Sequence, residues 1–209
     1  MGSGLIQLLM NDPVAFALVA IPLLYSVMLH EVAHGWVAFR FGDPTAKMLG
    51  RLSLNPLKHL DPIGTIMLLL VGFGWAKPVP VAFNRLRDGK RGMILVAAAG
   101  IIVNTLLAFA ALLLARILSP SPQSLVATIL AYVAHINIIL ASFNLIPLPP
   151  LDGSKILMGF ASASVQRMLL RIEPYGFFII IGLLYFGFLT PVIKVFRWFI
   201  VTVIEVLLP

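Results

Sequence analysis

Val14–Phe41 reads VAFALVAIPLLYSVMLHEVAHGWVAFRF. At ~1.5 Å of helical rise per residue this stretch is long enough to cross the ~30 Å hydrocarbon core of a bilayer. Its second half nevertheless carries His30, Glu31, His34 and Arg40. A lipid-facing helix does not tolerate such groups, so they must face a protein interior. Pro22 removes a backbone donor and crowds the preceding turn, which makes it a candidate kink. The whole chain agrees with a membrane reading: of its 209 residues, 60% are hydrophobic and 11% charged, with mean hydropathy +1.03. That leaves too little polar surface to clothe a domain in water.

Working outward, Gly42 to Asp61 is polar, basic and rich in Gly and Pro, which predicts a loop or short hairpin at one membrane face. The apolar run Pro62 to Trp75 is shorter than the ~20 residues a span needs. Both of its flanks are basic (Lys47, Arg51 and Lys58; Lys77, Arg85, Arg87, Lys90 and Arg91), which favours a re-entrant segment over a crossing. Gly92 to Leu118 and Leu125 to Leu145 read as spans joined by Ser119–Pro122. In Asn144–Gly153 the prolines 147, 149 and 150 forbid continuous helix and predict extended backbone at membrane depth, which survives only where it lines a cavity or meets another peptide. A short amphipathic piece with Lys155, Arg167 and Arg171 follows, then the apolar stretches Pro174–Leu189 and Pro191–Leu208. The last holds Lys194 and Arg197, and either crosses or lies in the interface. The expected fold is an all-α polytopic membrane protein of about five transmembrane helices, plus a re-entrant or short β-hairpin segment near the cytoplasmic face. Residues 1–209 read as one membrane-embedded domain, with no internal repeat or linker.

The formal charge of +7 does not imply nucleic acid, because nine of the fifteen Lys and Arg residues lie between Arg40 and Arg91, where topology signals sit. The positive-inside bias puts that region in the cytoplasm and the N-terminus outside. Met1–Asn11 has no basic n-region, so no cleaved signal peptide is expected. With no cysteine in the chain, a transition metal would have to use His, Asp or Glu.

His30-Glu31-Val32-Ala33-His34 is an H-E-x-x-H pattern. The i, i+4 spacing brings both imidazoles to one helix face, where they can share a metal, and Glu31 is placed to take a proton from a water that the ion acidifies toward pKa ~7. Three ionisable groups within five residues of a span call for a shared purpose, which zinc supplies. Hydrogen bonding to neighbouring helices is the plainer alternative. A catalytic zinc wants a third protein ligand. Asp152 is the favoured candidate, because it follows an apolar span, sits in proline-broken backbone and reaches the same membrane face as His30 and His34. His59 and His135 are weaker rivals. His34 and His30 lie six and ten residues before Arg40, roughly 9 to 15 Å below the cytoplasmic boundary, so a water-filled cavity opening to the cytoplasm is expected.

His30-Glu31-Val-Ala-His34-Gly35 in a first span, with Asn144-x-x-Pro147-x-Pro149-x-Leu151-Asp152-Gly153 in a later one, resembles the site-2 protease family of intramembrane metalloproteases. The resemblance runs from about Tyr25 to Gly159. It implies one zinc ion per chain bound by His30, His34 and Asp152, Glu31 as general base, and single-span membrane proteins as substrates, cut in regulated intramembrane proteolysis after an earlier cleavage by another protease. The family's A-G-P-x-x-N motif is matched at Ala99, Gly100 and Asn104 but has Ile101 in place of proline, which puts a local helix break in doubt. Asn104 and Asn144 can donate to an oxyanion or clamp substrate backbone, or can serve as interhelical polar contacts. Many relatives carry a PDZ or CBS domain, for which this chain has no room, so it resembles the short members. Access to the site would then be controlled by the membrane part or by a regulatory membrane partner. Two other classes stay open on sequence alone: a transporter using the His/Asp cluster as a metal or proton pathway, and a non-catalytic membrane scaffold.

Overall fold

The computed structural model describes residues 5–72 and 74–209. A short helix α1 (Leu5–Asn11) leads into α2 (Pro13–Arg40), which continues through Pro22. Asp12 starts α2, its carboxylate accepting a hydrogen bond from the Ala15 amide at 2.9 Å, with proline at the first helical position where no donor is lost. After α3 (Thr45–Met48) and a 3-10 turn (Pro56–His59) comes α4 (Pro62–Val71). Asp61 caps α4 by accepting from Gly64 N at 2.8 Å, and Gly72, with φ of 79°, ends it in the left-handed region. The long helices α5 (Gly89–Leu118) and α6 (Leu125–Asn144) follow, then α7 (Asp152–Phe160), α8 (Ala163–Ile172), α9 (Gly176–Tyr185) and α10 (Leu189–Leu207).

Among the described residues, four helical stretches are long and apolar enough to cross a bilayer: Pro13–Arg40, Gly89–Leu118, Leu125–Asn144 and Ala163–Tyr185. The sequence led us to expect about five. The remaining candidate, α10, carries Lys194, Arg197 and Glu205 within its length and is not among the four. Large apolar side chains stand exposed on the outside of the helices, among them Ile21, Leu106, Leu114, Phe178 and Trp198, as expected where lipid is the solvent.

The β-hairpin alternative is not found. Among the described residues there is no strand, only an isolated antiparallel bridge between Leu60 and Ala76, extended by one bond from Lys77 N to His59 O at 2.9 Å. Pro78 and Pro80 supply no N–H beyond that point, so a ladder has nothing with which to continue. The bridge places the two ends of the α4 segment side by side. Its limbs pack backbone to backbone, and a Cβ added to Gly64 would stand 2.1 Å from the Trp75 carbonyl oxygen.

Helix α5 is the centre of the bundle, packing on α2, α6 and α7, while α6 also meets α2 and α10. The sense of each helix follows from paired contacts. Asn137 Nδ2 donates to Ser26 Oγ at 2.8 Å, and further along both segments His30 meets Asp152, so α2 and α6 run parallel. Along α5 the order reverses, with Val96 at His34 and Gly100 at His30, so α5 is antiparallel to both. Ile101, Ala108, Ile138, Ala141, Ile200 and Ile204 form a core between α5, α6 and α10. A second core, of Ile146, Leu151, Ile180 and Leu189, locks the proline-rich turn after α6 against α9 and α10.

That turn corrects a second expectation. Residues 145–150 coil through successive turns, with Leu148 N donating to Ile146 O at 2.8 Å and Leu151 N to Leu148 O at 3.0 Å, and Leu151 is extended just before α7. The peptide bond between Pro149 and Pro150 is cis. The prolines do end the helix, but the remaining N–H groups are satisfied locally rather than by a partner strand.

Candidate metal centre

The parallel course of α2 and α6 brings residues from opposite ends of the sequence to one point. His30 and His34 are buried one turn apart on α2, and Asp152 opens α7 directly after the proline-rich turn. Gly153 makes that approach possible, since a Cβ there would lie 2.2 Å from the Leu145 carbonyl oxygen. The Nε2 atoms of the two histidines stand 2.9 Å apart. Asp152 Oδ2 lies 3.1 Å from that of His30 and 3.2 Å from that of His34.

The chemistry of this triangle follows from its hydrogen bonds. His34 Nδ1 is 2.7 Å from the Val96 carbonyl oxygen, which can only accept, so Nδ1 carries the proton and Nε2 turns its lone pair to the centre of the triangle. His30 packs its ring flat against Gly100, where an added Cβ would stand 2.4 Å from Cε1 and 2.6 Å from either ring nitrogen. Two imidazole nitrogens and a carboxylate oxygen converge here inside a helix bundle, where a shared proton or a cation must hold them together, and the donor set is one that zinc takes. Ligand atoms about 2.0 to 2.1 Å from a tetrahedral zinc are separated by about 3.3 to 3.4 Å. The observed edges lie close below that, so the three residues fit zinc with a small expansion.

Glu31, adjacent to His30 on α2, is half-buried, and its Oε2 accepts a hydrogen bond from Val79 N at 2.7 Å. The weaker candidates lie elsewhere. His59 is buried with Nε2 on the Ser53 carbonyl at 2.9 Å, and His135 is on the exposed face of α6 beside Tyr132 and Thr128. Neither joins the cluster of His30, His34 and Asp152. Asn104 is fully buried on α5, with no hydrogen-bond partner for either amide atom among the described residues. Asn144 ends α6, and its Nδ2 donates to Leu140 O at 3.0 Å. Sequence reasoning missed three contributors: the Val96 carbonyl, the Gly100 surface and the Val79 amide. The first and third are backbone groups, which leave no signature in side-chain identity.

The sequence is 38% identical over 185 residues to "Putative zinc metalloprotease YwhC" of Bacillus subtilis, covering 85% of this chain and 83% of that one. The family model described as Peptidase family M50 matches residues 115–186. The chain belongs to peptidase family M50. This M50 peptidase is also similar to "Putative zinc metalloprotease Rip2" of Mycolicibacterium smegmatis, 30% identical over 189 residues, covering 88% of this chain and 70% of the relative. It is 27% identical over 154 residues to "Zinc metalloprotease MJ0392" of Methanocaldococcus jannaschii, covering 74% of this chain and 37% of that one. No solved structure matches it significantly. As a member of M50, the site-2 protease family, it is a zinc metallopeptidase, and its four apolar helices make it a multi-pass membrane protein.

Proposed function

We propose that this M50 peptidase hydrolyses peptide bonds in or beside the transmembrane segments of single-span membrane proteins, with His30, His34 and Asp152 holding the zinc and Glu31 acting as general base. The observation that carries this reading is the triangle of His30 Nε2, His34 Nε2 and Asp152 Oδ2 enclosed by α2, α5 and α7, with Glu31 on the same turn of α2. Zinc bound there supplies Lewis acidity, polarising a peptide carbonyl and lowering the pKa of a water toward ~7.

The chain's own groups do the rest. Glu31 takes the proton of the attacking water and returns it to the departing amine. The Val96 carbonyl fixes the tautomer of His34, and Gly100 admits the His30 ring. Asn144, where α6 ends, and Asn104, whose buried amide has no hydrogen-bond partner among the described residues, are the donors we assign to the substrate carbonyl or backbone. Substrate must partly unwind, because helical carbonyls are shielded by their own hydrogen bonds. The site faces the cytoplasm in this reading: Arg40 ends α2, Arg87 precedes α5 and Lys90 and Arg91 lie in its first turn, at the same end of the bundle as the triangle. Residues 1–209 act as one domain, and a regulatory membrane partner is an allowed control on access.

The test is cleavage of model single-span substrates by the purified protein in liposomes, with cut sites mapped by mass spectrometry. Wild type is expected to cut within or next to the apolar segment, to fall silent with chelator and to recover with zinc, while Glu31→Gln stays silent with zinc retained. Cleavage by Glu31→Gln at the wild-type rate would remove the general-base assignment.

A further inference from the structure

Between α4 and α5 the chain runs without helix through Trp75-Ala-Lys-Pro78-Val79-Pro80-Val-Ala82. Pro78 and Pro80 have no N–H, so Val79 carries the one amide donor of this Pro-Val-Pro strap, and its residue is biased to extended backbone by the proline that follows. That amide donates to Glu31 Oε2 at 2.7 Å. The Val79 side chain is buried against Gly35, one helical turn beyond Glu31, where a Cβ on the glycine would meet Val79 Cγ1 at 2.9 Å. Strap and helix therefore meet over the turn that bears the H-E-x-x-H pattern.

The strap owes its position to anchors other than Glu31. Upstream, Lys77 N donates to His59 O at 2.9 Å and Arg51 Nη2 donates to Lys77 O at 2.7 Å. Downstream, Ala82 N donates to Asp43 Oδ2 at 2.7 Å. The amide is thus held in place before Glu31 meets it, which makes the strap the rigid partner and the glutamate, with three side-chain torsions, the one that is held. Glu31 Oε1 has no hydrogen-bond partner among the described residues.

We infer that the Val79 backbone amide is a positioning group for Glu31: it fixes Oε2 so that Oε1 is the oxygen presented for proton transfer. This rests on the reading of Glu31 as the base and adds to it the device that aims it. The flanking prolines follow as part of the device, since an amide N–H at 78 or 80 would offer competing donors beside the catalytic turn. Misplacement of a reacting group by about 1 Å can cost on the order of 10²-fold in rate.

The experiment compares three forms of the full-length protein in liposomes. One has valine at 79, one has its α-hydroxy acid so that a backbone ester replaces the N–H, and one is Val79→Pro. Zinc affinity, thermal unfolding, KM and kcat are read for each. Loss of kcat by about 10- to 100-fold in both altered forms, with zinc affinity and KM within about twofold of wild type, is the expected result. Wild-type kcat in the ester form, or a rise in KM with kcat unchanged, overturns the inference. So does a loss of zinc with the loss of rate, which would make the strap a scaffold for the metal site instead. Glu31→Gln run beside them separates the two levels: if it cuts, the base assignment has failed, whereas if it is silent while the ester form is fully active, only the positioning role has.

Discussion

Replacing Gly100 by alanine puts one methyl group against the His30 ring, 2.4 Å from Cε1 and 2.6 Å from Nδ1 and Nε2. Ordinary contact between such atoms needs about 3.5 Å or more, so the ring must retreat by roughly 1 Å, or α5 must move away from α2 by as much. Metal–ligand bonds tolerate displacements of about 0.2 Å, so the shift takes His30 Nε2 out of bonding range unless the whole triangle follows. Overpacking of this kind costs about 1 to 3 kcal/mol of stability, and disturbing the support of a ligand costs on the order of 10- to 100-fold in metal affinity. Gly100→Ala is therefore expected to weaken zinc binding by at least 10-fold, measured by competition with a chromophoric chelator, and to regain part of its cleavage at raised zinc. Gly182→Ala is the control, because an added Cβ there meets nothing within 4 Å. Wild-type zinc affinity in Gly100→Ala would refute the packing of His30 on α5.

Other outcomes follow from particular groups. Asp43 is fully buried between α2 and the strap. Burial pushes its carboxyl up, but hydrogen bonds from the Thr45 hydroxyl, the Ala82 amide and the Thr45 amide, with Arg85 nearby, hold it below its ordinary value. A depressed carboxyl stabilises the fold above its ordinary range and loses that contribution as pH falls through the folded-state value. Asp43→Asn should thus unfold at lower temperature than wild type at neutral pH, and the gap should close in acid. A gap that does not depend on pH would contradict this. His59→Ala and His135→Ala should each keep a full complement of zinc by elemental analysis, since neither joins the cluster; loss of the metal in either would reopen the ligand set. Ser26→Ala removes a buried bond to Asn137 and should cost about 0.6 kcal/mol, as interhelical bonds in membranes do, read from unfolding in detergent.

Much of this arrangement was legible in the sequence, for reasons that differ from one element to another. The spans announced themselves because lipid demands uninterrupted apolar helices, and α2, α5 and α6 begin and end within a few residues of the expected limits. The histidine pair was legible because i, i+4 spacing is a local property. Bringing Asp152 to it needed only the sense of three helices. What escaped was backbone conformation. The prolines of 147–150 ruled out helix but did not say whether the chain would extend or coil, and the local bonds of Leu148 and Leu151 decided for turns. The hairpin expected of the basic loop is not found among the described residues because Gly42–Asp61 folds instead into α3 and the Pro56–His59 turn. The Val96 carbonyl and the Val79 amide were invisible because any residue type supplies them, and Gly100 was noted only for a motif, not for the ring it receives.

The central claim is that His30, His34 and Asp152 together hold one catalytic zinc. Zinc K-edge absorption on the purified protein, with metal content per chain measured on the same sample, tests it most directly. The account predicts one zinc per chain with two imidazole nitrogens and carboxylate oxygen at about 2.0 to 2.2 Å, and for Asp152→Ala a loss of metal or of the carboxylate contribution. Stoichiometric zinc in Asp152→Ala with an unchanged spectrum, or an absence of zinc in wild type, would contradict it.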